Sequence, residues 1–300
     1  MVNKSKVMTL RTLLGDYPNT LPLKKGQVRS PRLAFEFADV KAPHHAFKQV
    51  VRELKFDVAE LAIATYLTAK AHDKPLVLLP AVVRGKFQHE SLVCSAARDP
   101  LSPSDLVGRR VGIRSHSVTT VAWVRGILHN DYGVDLDRVR WVTFEDPHVA
   151  ECRDPDAFER VPAGKDPMTM LLEGELDAAI MTGAPLKDPR VRPVIPDPAA
   201  AAQAWYQRYG AVPINHMVVV TASIAKSSPW VAKEVFRLLA ESKKAAGLPA
   251  ATGVDPFPLG VEANRKSLEL IIKYAAQQGL IPRPYQVDEL FDGVTRALGR

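Results

Sequence analysis

Residues Arg109 to Leu128 read RRVGIRSHSVTTVAWVRGIL. Val111 and Ile113 alternate as in a short buried strand, a hydroxyl-rich turn follows, and the apolar spacing then becomes helical. A strand, a turn and a helix in that order form the repeating unit of an α/β fold. The same stretch suits an anion. The first turn of a helix leaves backbone N–H groups without intrahelical partners, and the aligned peptide dipoles favour negative charge there. Ser115, Ser117, Thr119 and Thr120 add hydroxyl donors and His116 adds a titratable ring. A helix cap made by one of these hydroxyls is the structural alternative.

The alternation extends in both directions. Towards the N-terminus, Met8 to Leu14, Leu33 to Phe37, Phe56 to Val58 and Leu76 to Val83 read as strands, with helical segments at Ala46 to Leu54 and Ala59 to Ala71. The helical reading of AELAIATYLTAKA rests on propensity. Beyond Leu128 come a strand at Arg140 to Phe144, a long Pro-, Asp- and Arg-rich loop over Glu145 to Pro167, and a strand in LDAAIMTG. A helix at Ala199 to Tyr209, a β-branched strand in INHMVVVTAS, and helices at Pro229 to Ala246 and Val261 to Gln278 follow. This order predicts largely parallel sheets with helices on both faces. A chain of 300 residues exceeds the size at which single cores stop growing, about 250–300 residues, so two α/β domains are expected. The domains are drawn as residues 1–97 with 213–300, and residues 98–212, facing each other across an interdomain cleft that takes a small ligand.

Composition excludes several classes. With 46% hydrophobic and 24% charged residues the chain is an ordinary globular protein. Its longest apolar runs, such as LVLLPAVV, fall well short of the ~20 residues that span a bilayer, so no membrane segment is expected. The N-terminal stretch MVNKSKVMTLRTLLGDYP lacks the apolar centre of a secretory signal, which points to a cytoplasmic protein. Cys94 and Cys152 stand in unrelated contexts and read as separate thiols. The net charge of +7 is spread among acidic residues without long basic runs, so nucleic acid is not an expected partner. A positive field drawing a small anion into a cleft fits the same charge.

The ordered segments GDYPNTLPLKKGQV, FDVAELAIATYLTAK, KFQHESLV, DLVGRRVGIRSHSVTTVAWVRGIL, VPINHMVVVTASI with SSPWVAKE, and GVEANRKSLELIIKYAAQQGL with VDELF together resemble 4,5-dihydroxyphthalate decarboxylases. The likeness covers nearly the whole chain. It implies the two-lobed, type 2 periplasmic-binding-protein-like fold, a small aromatic carboxylate as substrate, and non-oxidative loss of carbon dioxide. A homo-oligomer is expected from the resemblance alone. The family often carries Tyr where this chain has Leu259, and varies around Gln88 and Arg114 to Ser117. These departures leave a related benzene dicarboxylate or hydroxybenzoate open as substrate.

Such a reaction places a proton on the ring carbon bearing the carboxylate and expels carbon dioxide from the dearomatised ring. It calls for a proton donor over that carbon and for cations or amides around the spectator carboxylate. Histidine suits the first role, and His89, His216 and His116 are the candidates. Arg84 and Arg125 suit the second, although Arg125, two turns into a helix, also fits an exposed salt bridge. Asp16, Tyr17 and Thr20 follow the first strand, at the end where open α/β sheets bind ligands. Thr65 and Tyr66 could present hydroxyls to a catechol, whereas Glu262, Asn264 and Arg265 read as helix-start capping and bracing. No cofactor is required by this chemistry, and no Gly-rich phosphate loop or pyridoxal-phosphate lysine motif is present. A divalent metal is the other route to stabilising the developing charge, although no HxH, HxxxH or HExxH spacing occurs. A transporter's solute-binding protein for a small organic anion is the rival reading on the same fold.

Overall fold

A computed structural model describes residues 7–300. Residues 1–6, part of the stretch read for a secretory signal, lie outside the described residues. The chain gathers into two units. The first comprises the residues up to Lys86 together with Ile214–Glu269 and Tyr285–Arg300, and the second comprises Phe87–Pro213 and Leu270–Pro284.

In chain order the first unit begins with β1 (Met8–Leu13), α1 (Leu21–Lys24), β2 (Leu33–Phe37), α2 (Phe47–Glu53), β3 (Val58–Ala62), α3 (Ile63–Ala71) and β4 (Leu76–Gly85). The second unit holds β5 (Leu92–Ser95), β6 (Arg110–Ile113), α4 (Thr119–Tyr132), β7 (Arg140–Thr143) and β8 (Glu159–Arg160). It continues with α5 (Pro167–Glu173), β9 (Ala178–Ile180), β10 (Val191–Pro193) and α6 (Pro198–Tyr209). The chain then returns to the first unit through β11 (Ile214–Thr221), α7 (Ala222–Ser227) and α8 (Pro229–Ala245), and ends its regular helices with α9 (Val261–Gln277).

Each unit is built on a mixed sheet, where the sequence predicted largely parallel ones. The first sheet has the order β2-β1-β3-β11-β4, with β1 parallel to both β2 and β3, and β11 antiparallel to both β3 and β4. The second has the order β10-β5-β9-β6-β7-β8, antiparallel across β10, β5 and β9 and parallel from β9 to β8. The reversals have a topological cause. A strand that follows its neighbour through a packed helical crossover is forced parallel. β5 and β11 are instead the first strands after the chain passes from one unit to the other, and no crossover helix dictates their direction.

Packing follows the expected periodicities. Val231, Val235, Leu238 and Leu239, one face of α8, join Leu10, Leu79, Val83, Val218 and Val220 in the core of the first unit. Val121, Val124 and Leu128 of α4 pack with Val111, Ile113, Trp141 and Ala178 in the second. Gly133 ends α4 in a left-handed conformation, φ 66°, that glycine adopts without a Cβ clash. Among the described residues no helix is long and apolar enough to cross a membrane.

Candidate active site

The central strand of the first sheet carries the largest departure from the sequence reading. Ala59 to Ala62, read as the start of a helix, is β-strand, and α3 begins only at Ile63. Alanine, glutamate and leucine favour a helix in isolation, but here the segment is paired on both edges, by β1 and β11. Those ladders and complete burial outweigh local propensity. In strand form the segment buries Glu60 completely, at 0% exposure.

A buried carboxylate needs donors, and Glu60 has three. The Gly15 N–H donates to Oε2, the Tyr17 hydroxyl donates to Oε1 at 2.7 Å, and His216 Nδ1 lies 2.7 Å from Oε1. Strand register explains the convergence. His216 stands opposite Ala62 and Val218 opposite Glu60 in the antiparallel β11–β3 pair, so Glu60 and His216 are diagonal neighbours on one face. On its other side His216 stands opposite Arg84 of β4. Gly15 and Tyr17 follow the carboxyl end of β1, between whose two neighbours, β2 and β3, the strand order switches direction. That is where open α/β sheets place their ligands.

The electrostatics assign the protons. Burial raises the Tyr17 pKa, the neighbouring Glu60 raises it further and Arg84 opposes the shift, so the phenol stays protonated and donates. A carboxylate receiving an amide and a phenol is best served by the Nδ1–H tautomer of His216. The imidazole is held edge-on against Phe47, with ring centroids 5.1 Å apart. The Arg84 guanidinium carbon lies 5.9 Å from the Tyr17 ring centroid, and no carboxylate among the described residues forms an ion pair with it. The first unit thus brings together an imidazole, its carboxylate partner, a phenol and a guanidinium.

The other candidates serve the site indirectly or stand elsewhere. Thr20 shapes the turn, its hydroxyl donating to the Gly15 carbonyl at 2.6 Å and accepting from Tyr17 N–H at 3.0 Å. Asp16 points outward and pairs with Lys24. Tyr66 is committed to the Leu290 carbonyl at 2.8 Å, while Thr65 is fully buried on α3. Arg265 pairs with Glu262 and Asp288, and Asn264 Nδ2 donates to the Gly260 carbonyl, as bracing requires. Leu259 forms a strand bridge with Ala81 and packs on the first core.

His89, in the second unit, is 2% exposed and sits edge-on to Trp205 beside a cavity of about 200 Å³ shared with Asp131 and Arg208. Burial lowers its pKa, with Asp131 opposing. The Ser115 to Thr120 turn also lies in the second unit. Its hydroxyls do not cap α4; Val118 occupies the cap position, and Ser115 Oγ is buried without a hydrogen-bond partner. Thr120 lines a cavity of about 190 Å³ with Arg114, Asp166 and Thr182. Ser117 and Thr119 are each 3% exposed. Arg125 is buried rather than salt-bridged at the surface, because α4 is enclosed along its first ten residues. Its Nη1 contacts His116 Nδ1 at 2.6 Å.

The residue that sequence reasoning missed is Glu60. Its signal was available: a lone acid inside the apolar run VAELAIA, where an unpaired charge would be costly.

No family model matches the chain. A 4,5-dihydroxyphthalate decarboxylase from Comamonas testosteroni is 30% identical over 251 residues, covering 80% of this chain and 76% of its own length. A protein of the same name from Pseudomonas putida is 28% identical over 212 residues, covering 67% and 82% respectively. Among solved structures, the periplasmic aliphatic sulphonate binding protein SsuA from Escherichia coli aligns over 95% of this chain and 98% of its own, with a TM-score of 0.62 at 13% identity. That likeness shows the shared two-lobed α/β fold.

Proposed function

This chain belongs to the 4,5-dihydroxyphthalate decarboxylase family, and from that premise we propose that it is a carboxy-lyase converting 4,5-dihydroxyphthalate to 3,4-dihydroxybenzoate and carbon dioxide. The observation that carries the mechanism is the buried Glu60–His216 pair. His216 Nε2 delivers a proton to the ring carbon bearing the departing carboxylate, with electron density supplied by the hydroxyl para to it. The bond to the carboxylate carbon then breaks, its electron pair restores the aromatic ring, and carbon dioxide leaves. Glu60 stabilises the imidazolium before transfer, Tyr17 holds Glu60 in place, and Arg84 takes the spectator carboxylate. His216 regains its proton from solvent, so each turnover consumes one proton and releases one carbon dioxide.

General acid catalysis contributes about 10²–10⁴-fold. His216→Asn, which keeps a hydrogen-bonding side chain but cannot deliver a proton, should lower kcat by that factor while calorimetric affinity for the substrate changes little. His89→Ala is the comparison variant. Full turnover in His216→Asn together with its loss in His89→Ala would move the acid to the second unit.

A further inference from the structure

Arg125 is a buried cation without an ion pair. It is 4% exposed, no carboxylate among the described residues pairs with it, and Asp137 acts on it only through space. Its guanidinium instead lies 4.7 Å from the Trp141 ring centroid and 5.2 Å from that of Phe158. Its Nη1 donates to His116 Nδ1 at 2.6 Å and to Gln278 Oε1 at 3.3 Å. Enclosing an unneutralised charge is expensive, and an apolar side chain would fill the same space more favourably.

The hydrogen bonds leave one proton assignment. A guanidinium has only donors, so His116 Nδ1 must accept, and the single proton of the neutral ring sits on Nε2. Nε2 lies 3.0 Å from the Gln278 carbonyl oxygen and donates to it. The Gln278 side chain closes the network by donating from its own Nε2 to the Ala122 carbonyl at 2.8 Å. Burial and the adjacent Arg125 push the His116 pKa down to about 3, in keeping with a ring that stays neutral. All of these residues lie in the second unit.

We propose that Arg125 is a positioning residue for an anion-binding turn. It fixes His116 as the Nε2–H tautomer, ties the turn at residues 114–118 to Gln278, and sets an unneutralised positive charge next to the turn that carries Ser115 and Ser117, which favours an anion there. The proposal rests on the reading of an aromatic carboxylate as substrate, and it removes His116 from the proton-donor role because its one proton is engaged by a carbonyl.

The test begins with the unmodified protein. Histidine ¹⁵N spectra, with the His116 signals identified by their loss in His116→Gln, should show a protonated Nε2, an unprotonated Nδ1 and no titration between pH 8 and pH 5. A protonated Nδ1, or titration near the ordinary histidine value, would overturn the assignment. The charge is tested by calorimetric titration with phthalate, which carries the carboxylates without requiring turnover. Arg125→Gln should weaken phthalate binding about tenfold, equivalent to ~1.4 kcal/mol, and Arg125→Lys should retain most of the affinity. Unchanged affinity in Arg125→Gln would overturn the role in anion binding. Neither measurement depends on decarboxylation, so failure of the functional reading shows separately, as absent turnover in the parent.

Discussion

Glu60 has no exposed surface, and its carboxylate is tolerable there only because an amide, a phenol and an imidazole face it. Glu60→Gln keeps the shape but replaces one acceptor oxygen by a donor and removes the charge that stabilises the imidazolium. We predict a fall in kcat of about ten- to a hundredfold with KM nearly unchanged, measured by steady-state kinetics; a parent-like kcat would mean that His216 works without its partner. His116 makes a prediction about stability. Its pKa is lowered from 6.5 to about 3 by burial first and Arg125 second, so between those values the unfolded chain binds a proton that the folded chain does not. This contribution is full above pH 6.5 and is lost as pH falls towards 3, at up to about 1.4 kcal/mol per pH unit. Denaturant titrations from pH 7 to pH 4 should therefore show a shallower decline in His116→Gln than in the parent, and equal slopes would contradict the assignment. The placing of Tyr17, Arg84 and His216 near strand ends was legible in the sequence because composition marks β1, β4 and β11 clearly. Glu60 was not, because its neighbours are strong helix formers and only the strands on either side turn that segment into sheet.

At the scale of elements, the β1-to-α1 turn is the part most sensitive to a small change. A Cβ at Gly15 would stand 2.6 Å from the Tyr17 ring and 2.7 Å from its hydroxyl oxygen, closer than real contacts allow. Tyr17 would have to swing away, breaking its bond to Glu60, while the sheet itself is untouched. Gly15→Ala should thus lower kcat several-fold and cost about 1–3 kcal/mol of stability, because the buried Glu60 carboxylate loses one of its donors. A large stability loss with normal kcat would show that the turn matters for folding rather than for the site. β2, α6 and α8 lie within a residue or so of their expected limits because caps, glycines and apolar spacing mark them. Arg125 was misjudged because a polar residue two turns into a helix normally faces water, whereas the first ten residues of α4 are enclosed on all sides.

Over the whole molecule, the alternation of strands and helices correctly indicated an α/β architecture with two sheets, and the family resemblance extends over most of the chain. Strand direction was not legible. A reversed strand such as β11 has the same β-branched composition whichever way it runs, and its pairing is set by partners more than 100 residues away in sequence. The site likewise draws on distant parts of the chain, from Gly15 to His216. The proposed reaction is ring protonation followed by loss of carbon dioxide. The most direct measurement is incubation of the intact protein with 4,5-dihydroxyphthalate in deuterated water, with and without a chelator, following carbon dioxide and 3,4-dihydroxybenzoate. Both products are expected in equal amounts, insensitive to chelation, with one deuterium at the vacated ring carbon. Tight substrate binding without product would contradict this reaction and favour a receptor, and product formed only in the absence of chelator would transfer the charge-stabilising role to a metal.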